Sequence, residues 1–341
     1  ISYRSNGVIR HNDRPPRIED LDSITPPAFH HIDLRRYSGF GMITSRGCPY
    51  PCTFCSVAPI WDLQSFHRSP EAIVEEIRML HDKAGAELVL FQDEFFLTGR
   101  DRVMRFCDAL RRSGVSVMWK AFGRVNLTDE DMMHAMADAG CVEIRFGIES
   151  GSDRILELTR KGFTTAQAVD VVSRACRIFR RVDAFYVWGY PFETLDDFHQ
   201  SVFQMVSFRM MGARILPSLL CLLPQTRIYR DHVDPRKLEF APDLLPEYMV
   251  TGHEVSRLAH IEIRPEHAGV FAFVRQHPDI FPGFFHLDLE TNIRPKLRVL
   301  QEFGFYPASA EELAGMESCG AHSPRVEDES RKELATRATG P

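Results

Sequence analysis

Between about residues 38 and 222 the chain alternates short apolar runs with amphipathic helical stretches, and this alternation restricts the fold more than any other feature. Runs of this kind separated by helices predict parallel strands joined by crossovers. The candidate strands are 40–45, 87–92, 117–122, 142–148, 184–188 and 215–220. Several helix starts between them are legible. Ser69-Pro70-Glu71 offers an N-cap, a first-turn proline and an acid at the positive end of the helix dipole. Ile73, Val74, Ile77 and Leu80 then form one apolar stripe, which Gly85 closes. Thr128-x-x-Asp131, Thr164-x-x-Gln167 and Thr194-x-x-Asp197 have the spacing of capping boxes, and Gly140 stands where a C-cap is expected. Six such units predict an α/β fold, a partial (β/α)6 TIM-like barrel, with an open doubly wound sheet as the competing arrangement. Both place ligands at the C-terminal ends of the strands.

The chain has 341 residues, 44% of them apolar, enough for one large core with an appendage. Residues 1–37, with Pro15, Pro16, Pro26 and Pro27, read as an interdomain linker following a domain upstream of Ile1. The barrel is expected over 38–225. Residues 226–306 lose the alternation and read as a mostly helical or irregular extension. Residues 307–341 have the composition of a disordered tail. The net charge of −6 argues against a broad grip on nucleic acid. No apolar run approaches the roughly 18 to 20 residues of a membrane span. No secretory signal is visible, and the expected compartment is the cytoplasm.

Eight cysteines are present, and three of them stand together as Cys48-x3-Cys52-x2-Cys55. This is not a disulfide framework. Cys107, Cys141, Cys176 and Cys221 occupy apolar positions and read as core residues. Thiolates are the usual ligands of iron–sulfur clusters, and three thiolates for four irons leave one iron open to a small molecule. A structural zinc site is the alternative, but it needs a fourth ligand, and His67 and His81 lack a paired spacing.

Other polar residues fall just after the candidate strands: Asp93-Glu94 after the second, Arg124 after the third and Glu149 after the fourth. Gly189-Tyr-Pro-Phe-Glu-Thr follows the fifth. On the fourth strand, period-two alternation puts Glu143, Arg145, Gly147 and Glu149 on one face. A polar face on a central parallel strand is costly unless it lines a cavity or pairs internally, Arg145 with Glu143 or Glu149.

The spacing C-x3-C-x2-C is the signature of the radical S-adenosylmethionine (SAM) superfamily, which this sequence resembles from the first strand to the sixth. The resemblance implies that Cys48, Cys52 and Cys55 hold a [4Fe-4S] cluster whose free iron chelates the amino and carboxylate groups of SAM. Reductive cleavage then gives methionine and a 5′-deoxyadenosyl radical. It implies Phe54 beside the adenine, Asp93 or Glu94 at the methionine amino group, and Glu149 as a further SAM contact. Arg124 suits the SAM carboxylate, because its fork matches a carboxylate bidentately. The family's usual Gly-Gly-Glu wording is replaced here by Gln92-Asp93-Glu94.

The linker 17–22, the Ile24-Thr-Pro-Pro-Ala-Phe that follows and Phe146-Gly-Ile-Glu-Ser-Gly resemble the class carrying an N-terminal cobalamin-binding domain. That class includes cobalamin-dependent methyltransferases and the anaerobic magnesium-protoporphyrin ester cyclase. The resemblance implies a small-molecule substrate, cobalamin as a further cofactor, and a flavodoxin or ferredoxin-type reductant. An RNA-modifying enzyme is the alternative, without auxiliary-cluster cysteines or a basic C-terminal module to support it.

Overall fold

The computed structural model describes residues 1–13, 15–37, 40–246, 258–259 and 264–306. Six parallel strands form its central sheet: β1 (Phe40–Met42), β2 (Leu88–Phe91), β3 (Met118–Gly123), β4 (Cys141–Glu149), β5 (Arg181–Trp188) and β6 (Arg214–Leu219). Each strand pairs with its predecessor in sequence, so the order across the sheet never reverses. A doubly wound sheet would reverse at a switch point. The winding is therefore that of a partial barrel, with β1 and β6 at its edges.

Crossover helices α1 (Pro70–Ala84), α2 (Arg100–Ser113), α3 (Glu130–Asp138), α4 (Thr165–Ile178) and α5 (Leu195–Met210) connect the strands. The Ser69 hydroxyl caps α1 by accepting from Ala72 N–H, and Ile73, Val74, Ile77 and Leu80 are all buried. Burying such side chains contributes about 1.5–3 kcal/mol each. Thr164 with Gln167 and Thr194 with Asp197 make complete capping boxes. The third expected box is displaced by one residue. Asp129 caps α3 by accepting from Met132 N–H, whereas the Thr128 hydroxyl donates back to Arg124 carbonyl at 2.8 Å. Asp accepts more strongly than Thr at an N-cap, and Thr128 is already committed to the turn 125–127.

Between sheet and helices, Phe91, Phe96, Phe106 and Trp119 pack ring against ring at 5.0–5.7 Å. The opposite face of the sheet carries charge. Glu143 on β4 meets Lys120 of β3 at 2.9 Å and Arg145 at 2.7 Å. Asp183 on β5 meets Arg145 at 3.7 Å and Arg214 of β6, whose Nε donates at 2.9 Å. Alternating signs thus run across four strands, and the internal pairing of Arg145 with Glu143 is present. Phe122 and Phe185, one step nearer the strand ends, lie 5.9 Å apart above this layer.

Before the barrel, Ser2–Ser5 and Val8–His11 form an antiparallel hairpin. After it, short helices occur at Arg227–His232, Ala268–Gln276 and Arg294–Glu302. Lys296 of the last helix is buried against Glu193 at 2.8 Å, which docks the extension on the turn after β5. The sequence-expected tail 307–341 lies outside the described residues.

Candidate active site

The cysteines lie on the loop after β1. Within it, Ser45–Gly47 pairs antiparallel with Ser65–His67. Gly47 adopts φ +82, and a Cβ there would stand 2.3 Å from the Gln64 carbonyl, so only glycine allows the approach. Asp93 holds the start of this loop. Its carboxylate accepts from Thr44 N–H at 2.6 Å, from Ser45 N–H at 3.1 Å and from the Thr44 hydroxyl. Arg102 closes the knot from the other side, donating to Thr44 carbonyl and hydroxyl, each at 2.9 Å. Glu94 accepts from Gly47 N–H at 3.2 Å. Burial pushes the Asp93 carboxyl up, against these hydrogen bonds and the Arg102 charge.

The far end of the loop is held by backbone. Thr53 N–H donates to Thr159 carbonyl at 3.1 Å, and Thr53 carbonyl accepts from Ile228 N–H at 2.8 Å. The loop is thereby fixed between the segment after β4 and the start of the C-terminal extension.

Cys48, Cys52 and Cys55 line one cavity of about 360 Å3 at the C-terminal ends of the strands. Phe54, Glu94, Arg124 and Glu149 line the same cavity. Seven of the eight residues singled out from sequence therefore converge, and Asp93 lies beneath the loop. Arg124 spreads its fork among internal partners: Nε to Asn126 Oδ1 at 2.9 Å, Nη2 to Lys161 carbonyl, and Nη1 3.8 Å from Cys52 Sγ. Glu149 takes φ +70, an uncommon conformation for a residue with a side chain. Its Oε1 meets Lys161 Nζ at 3.1 Å. Gly147 leaves room for that carboxylate, since a Cβ there would come 2.4 Å from Oε1.

Sequence reasoning missed Lys161, which is buried against Glu149, and Tyr50, whose ring lies under Arg124. An acid expected inside a cavity demands a counter-charge, and that signal points to the lysine that follows it in the loop. Tyr190, after β5, is fully buried, and its hydroxyl has no hydrogen-bond partner among the described residues.

Burial pushes the Cys48 thiol up, opposed by its hydrogen bond from Tyr50 backbone and by the charges of Arg124 and Lys161. Burial raises Cys55 likewise, against donation from Val57 N–H at 3.4 Å. Thiols of this kind release protons on binding metal. Among the described residues, no three Cys, His, Asp or Glu side chains are grouped as ligands of a single metal ion. Three thiolates bound to separate irons of a cube need not converge on one point. Free cysteines on one cavity wall, with two cations close by to offset thiolate charge, fit a cluster of net negative charge. The remaining volume, lined by Glu94, Glu149 and the Phe54 ring, fits a cationic amino-acid ligand with an aromatic base.

Comparison with known proteins agrees with this geometry. Residues 42–205 match the Radical SAM superfamily. An uncharacterized methyltransferase of Pyrococcus horikoshii is 32% identical over 207 residues, covering 59% of this chain and 45% of that protein. The anaerobic magnesium-protoporphyrin IX monomethyl ester cyclase of Synechocystis is 26% identical over 61% of this chain and 43% of its own length. The chain thus spans less than half of either relative. The solved structure of OxsB, a cobalamin-dependent SAM radical enzyme, superposes with a TM-score of 0.59 at 16% identity, over 98% of this chain and 50% of that one. At that identity the superposition speaks for the fold. No helix among the described residues is long and apolar enough to cross a membrane. With a cysteine-lined cavity at the strand ends and the match over 42–205, these residues form a radical SAM domain.

Proposed function

We propose that this chain is the catalytic barrel of a radical SAM methyltransferase acting on a small molecule, with cobalamin as its second cofactor. The observation that carries the reading is the convergence of Cys48, Cys52, Cys55, Glu94, Glu149 and Phe54 on one cavity at the strand ends. A [4Fe-4S] cluster bound there supplies the electron that cleaves SAM to methionine and a 5′-deoxyadenosyl radical. The rest is work for the chain's own residues. Cys48, Cys52 and Cys55 are the cluster ligands in this reading. Glu94 and Glu149 face the ammonium end of SAM, and Phe54 offers its ring to the adenine. Asp93 and Arg124, whose polar atoms already have internal partners, act by fixing the cysteine loop. The Phe122–Phe185 pair and the ionic layer beneath it seal the cavity from below, which excludes water from the radical.

Methyl transfer is favoured by the name of the Pyrococcus relative, and cobalamin by the description of OxsB. No residue of this chain is assigned to cobalamin. An oxidative cyclisation is the second reading, favoured by the Synechocystis relative. A flavodoxin or ferredoxin-type protein is the proposed electron donor. The cytoplasm is the proposed compartment, since free thiols poised for a cluster require reducing surroundings.

The test is anaerobic reconstitution with iron and sulfide, followed by reduction with SAM present. The expected result is a brown protein that releases 5′-deoxyadenosine, and a Cys52→Ala variant that does neither. SAM cleavage by Cys52→Ala, or a wild-type protein that takes up zinc and refuses iron, would overturn the assignment. Adding methylcobalamin and following label from methyl-labelled SAM separates methyl transfer from cyclisation.

A further inference from the structure

A second cavity of about 350 Å3 lies beside edge strand β1, on the other side of the cysteine loop's first residues. Its volume is at the small end of the usual range of about 300–1,000 Å3 for small-molecule sites. Leu21, Ile24, Pro26, Pro27, Met42 and Ile43 supply apolar surface, so the linker folds against the strand to make the wall. Three charged side chains also border it, and they differ in how far they are satisfied.

Arg68 is spent internally. It pairs with Glu76 and donates to Ile43 and Ala72 carbonyls at 3.2 Å each. Glu76 is neutralised by the same contact. Arg46 has no hydrogen-bond or ion-pair partner among the described residues, although it is half-buried in a chain where most buried cations are matched. The exposed side-chain amide of Gln92 also borders the cavity, while its backbone N–H donates to Met42 carbonyl at 2.9 Å. The Arg46 guanidinium keeps contact with solvent and is not spent on a protein anion, so it is available to a ligand entering the cavity. Its planar fork fits a carboxylate or phosphate bidentately, and an adjacent amide adds a third donor.

We infer that this cavity is a second ligand site, for a small organic anion with an apolar body, and that Arg46 is the residue that recognises its acidic head. The site abuts the cysteine loop from behind: Arg46 immediately precedes Gly47, whose N–H is held by Glu94 of the cluster cavity. The inference does not depend on the reaction proposed above, because its test reads binding.

The whole chain, reconstituted anaerobically, is titrated in a calorimeter with hexanoate, hexyl phosphate and hexanol. Saturable binding of one equivalent is expected for an anion, with the two heads distinguishing carboxylate from phosphate, and none for hexanol. Arg46→Gln should weaken it by roughly tenfold or more, and a molar excess of SAM should leave it unchanged. Ile43→Glu places a competing carboxylate beside Arg46 at a position 41% exposed, and should reproduce the loss if Arg46→Gln folds poorly. The inference is overturned by absence of saturable binding to both anions, or by equal binding of hexanol. Undiminished affinity in Arg46→Gln also overturns it, as does displacement of the anion by SAM, which would put the anion in the cysteine cavity.

Discussion

The Arg124 guanidinium carbon lies 3.9 Å from the centre of the Tyr50 ring. Tyr50 stands between the first two cysteines, and Arg124 directly follows β3, so the contact joins the cysteine loop to the barrel rim. The same guanidinium reaches Asn126, the Lys161 carbonyl and the neighbourhood of Cys52 Sγ. One side chain therefore braces three segments of the cavity wall, and it is only 6% exposed.

Replacing it separates charge from shape. Arg124→Lys keeps a cation near the thiols but loses the fork and most of the ring contact; Arg124→Gln loses all three. A desolvated cation–π contact and the lost hydrogen bonds together are worth about 2–4 kcal/mol, so Arg124→Gln should unfold at correspondingly lower urea. Iron retained after desalting should fall in the order wild type, Lys, Gln. Equal retention in all three would show that the cation does not support the loop.

Glu193 and Lys296 form a pair in which each side chain is 1% exposed. Burial pushes the Glu193 carboxyl up and the Lys296 ammonium down, while their mutual attraction opposes both. Lys296→Met leaves the acid buried without its counter-charge and should lose about 3–5 kcal/mol. Adding Glu193→Leu removes that stranded charge and should recover part of the loss, leaving about 1 kcal/mol for the bond from Gly189 N–H. Urea denaturation of the single and double variants measures the coupling, and strict additivity would refute it.

The six strands could be read from sequence because parallel strands covered by helices are apolar runs, punctuated by caps such as Ser69 and Thr194. The strand-end residues followed, since loops at that end of such a fold collect ligands. Less legible was what each residue touches. Asp93 and Glu94 are adjacent, yet one is knotted under Thr44 while the other borders the cavity, a division made by tertiary contacts. The pairing of Glu143 with Arg145 lies within one strand and was readable. Its continuation to Asp183 and Arg214 depends on inter-strand register, which no single segment encodes. Lys296 is buried in a region without periodicity, and nothing local marks it.

Glu143 ties acid stability to the ionic layer. Burial opposes its charge, but hydrogen bonds from Lys120 and Arg145 and their positive charges prevail, holding the carboxyl at about 2 against an ordinary 4.5. A carboxyl lowered in the fold stabilises it above the unfolded value, and the stability is lost as pH falls from about 4.5 toward 2. The full effect is on the order of 3 kcal/mol, of which about 2 kcal/mol is gone by pH 3. Asp197, also held low through Arg154, Thr194 and Ser152 against its burial, adds to the same acid limb. Glu143→Gln should thus be less stable at pH 6 but lose about 2 kcal/mol less than wild type between pH 6 and pH 3. Urea midpoints at the two pH values decide it; parallel losses would remove Glu143 from the acid limb.

The knot under the cysteine loop makes a graded prediction. Asp93 is 4% exposed and accepts from two backbone N–H groups and one hydroxyl. Asn in its place keeps the shape but turns a donor toward at least one of those donors, leaving buried polar groups unmatched at about 2–4 kcal/mol. Thr44→Val removes the hydroxyl alone and should lose about 1–2 kcal/mol, since both backbone bonds survive. Looser anchoring of Thr44 and Ser45 reaches Cys48 through Gly47, so iron loss to a chelator should quicken with Thr44→Val and quicken further with Asp93→Asn. Chelation followed by absorbance near the iron–sulfur charge-transfer band gives the two rates. Should Asp93→Asn unfold more easily yet release iron no faster than wild type, the knot would support the fold without setting the geometry of the cysteine loop.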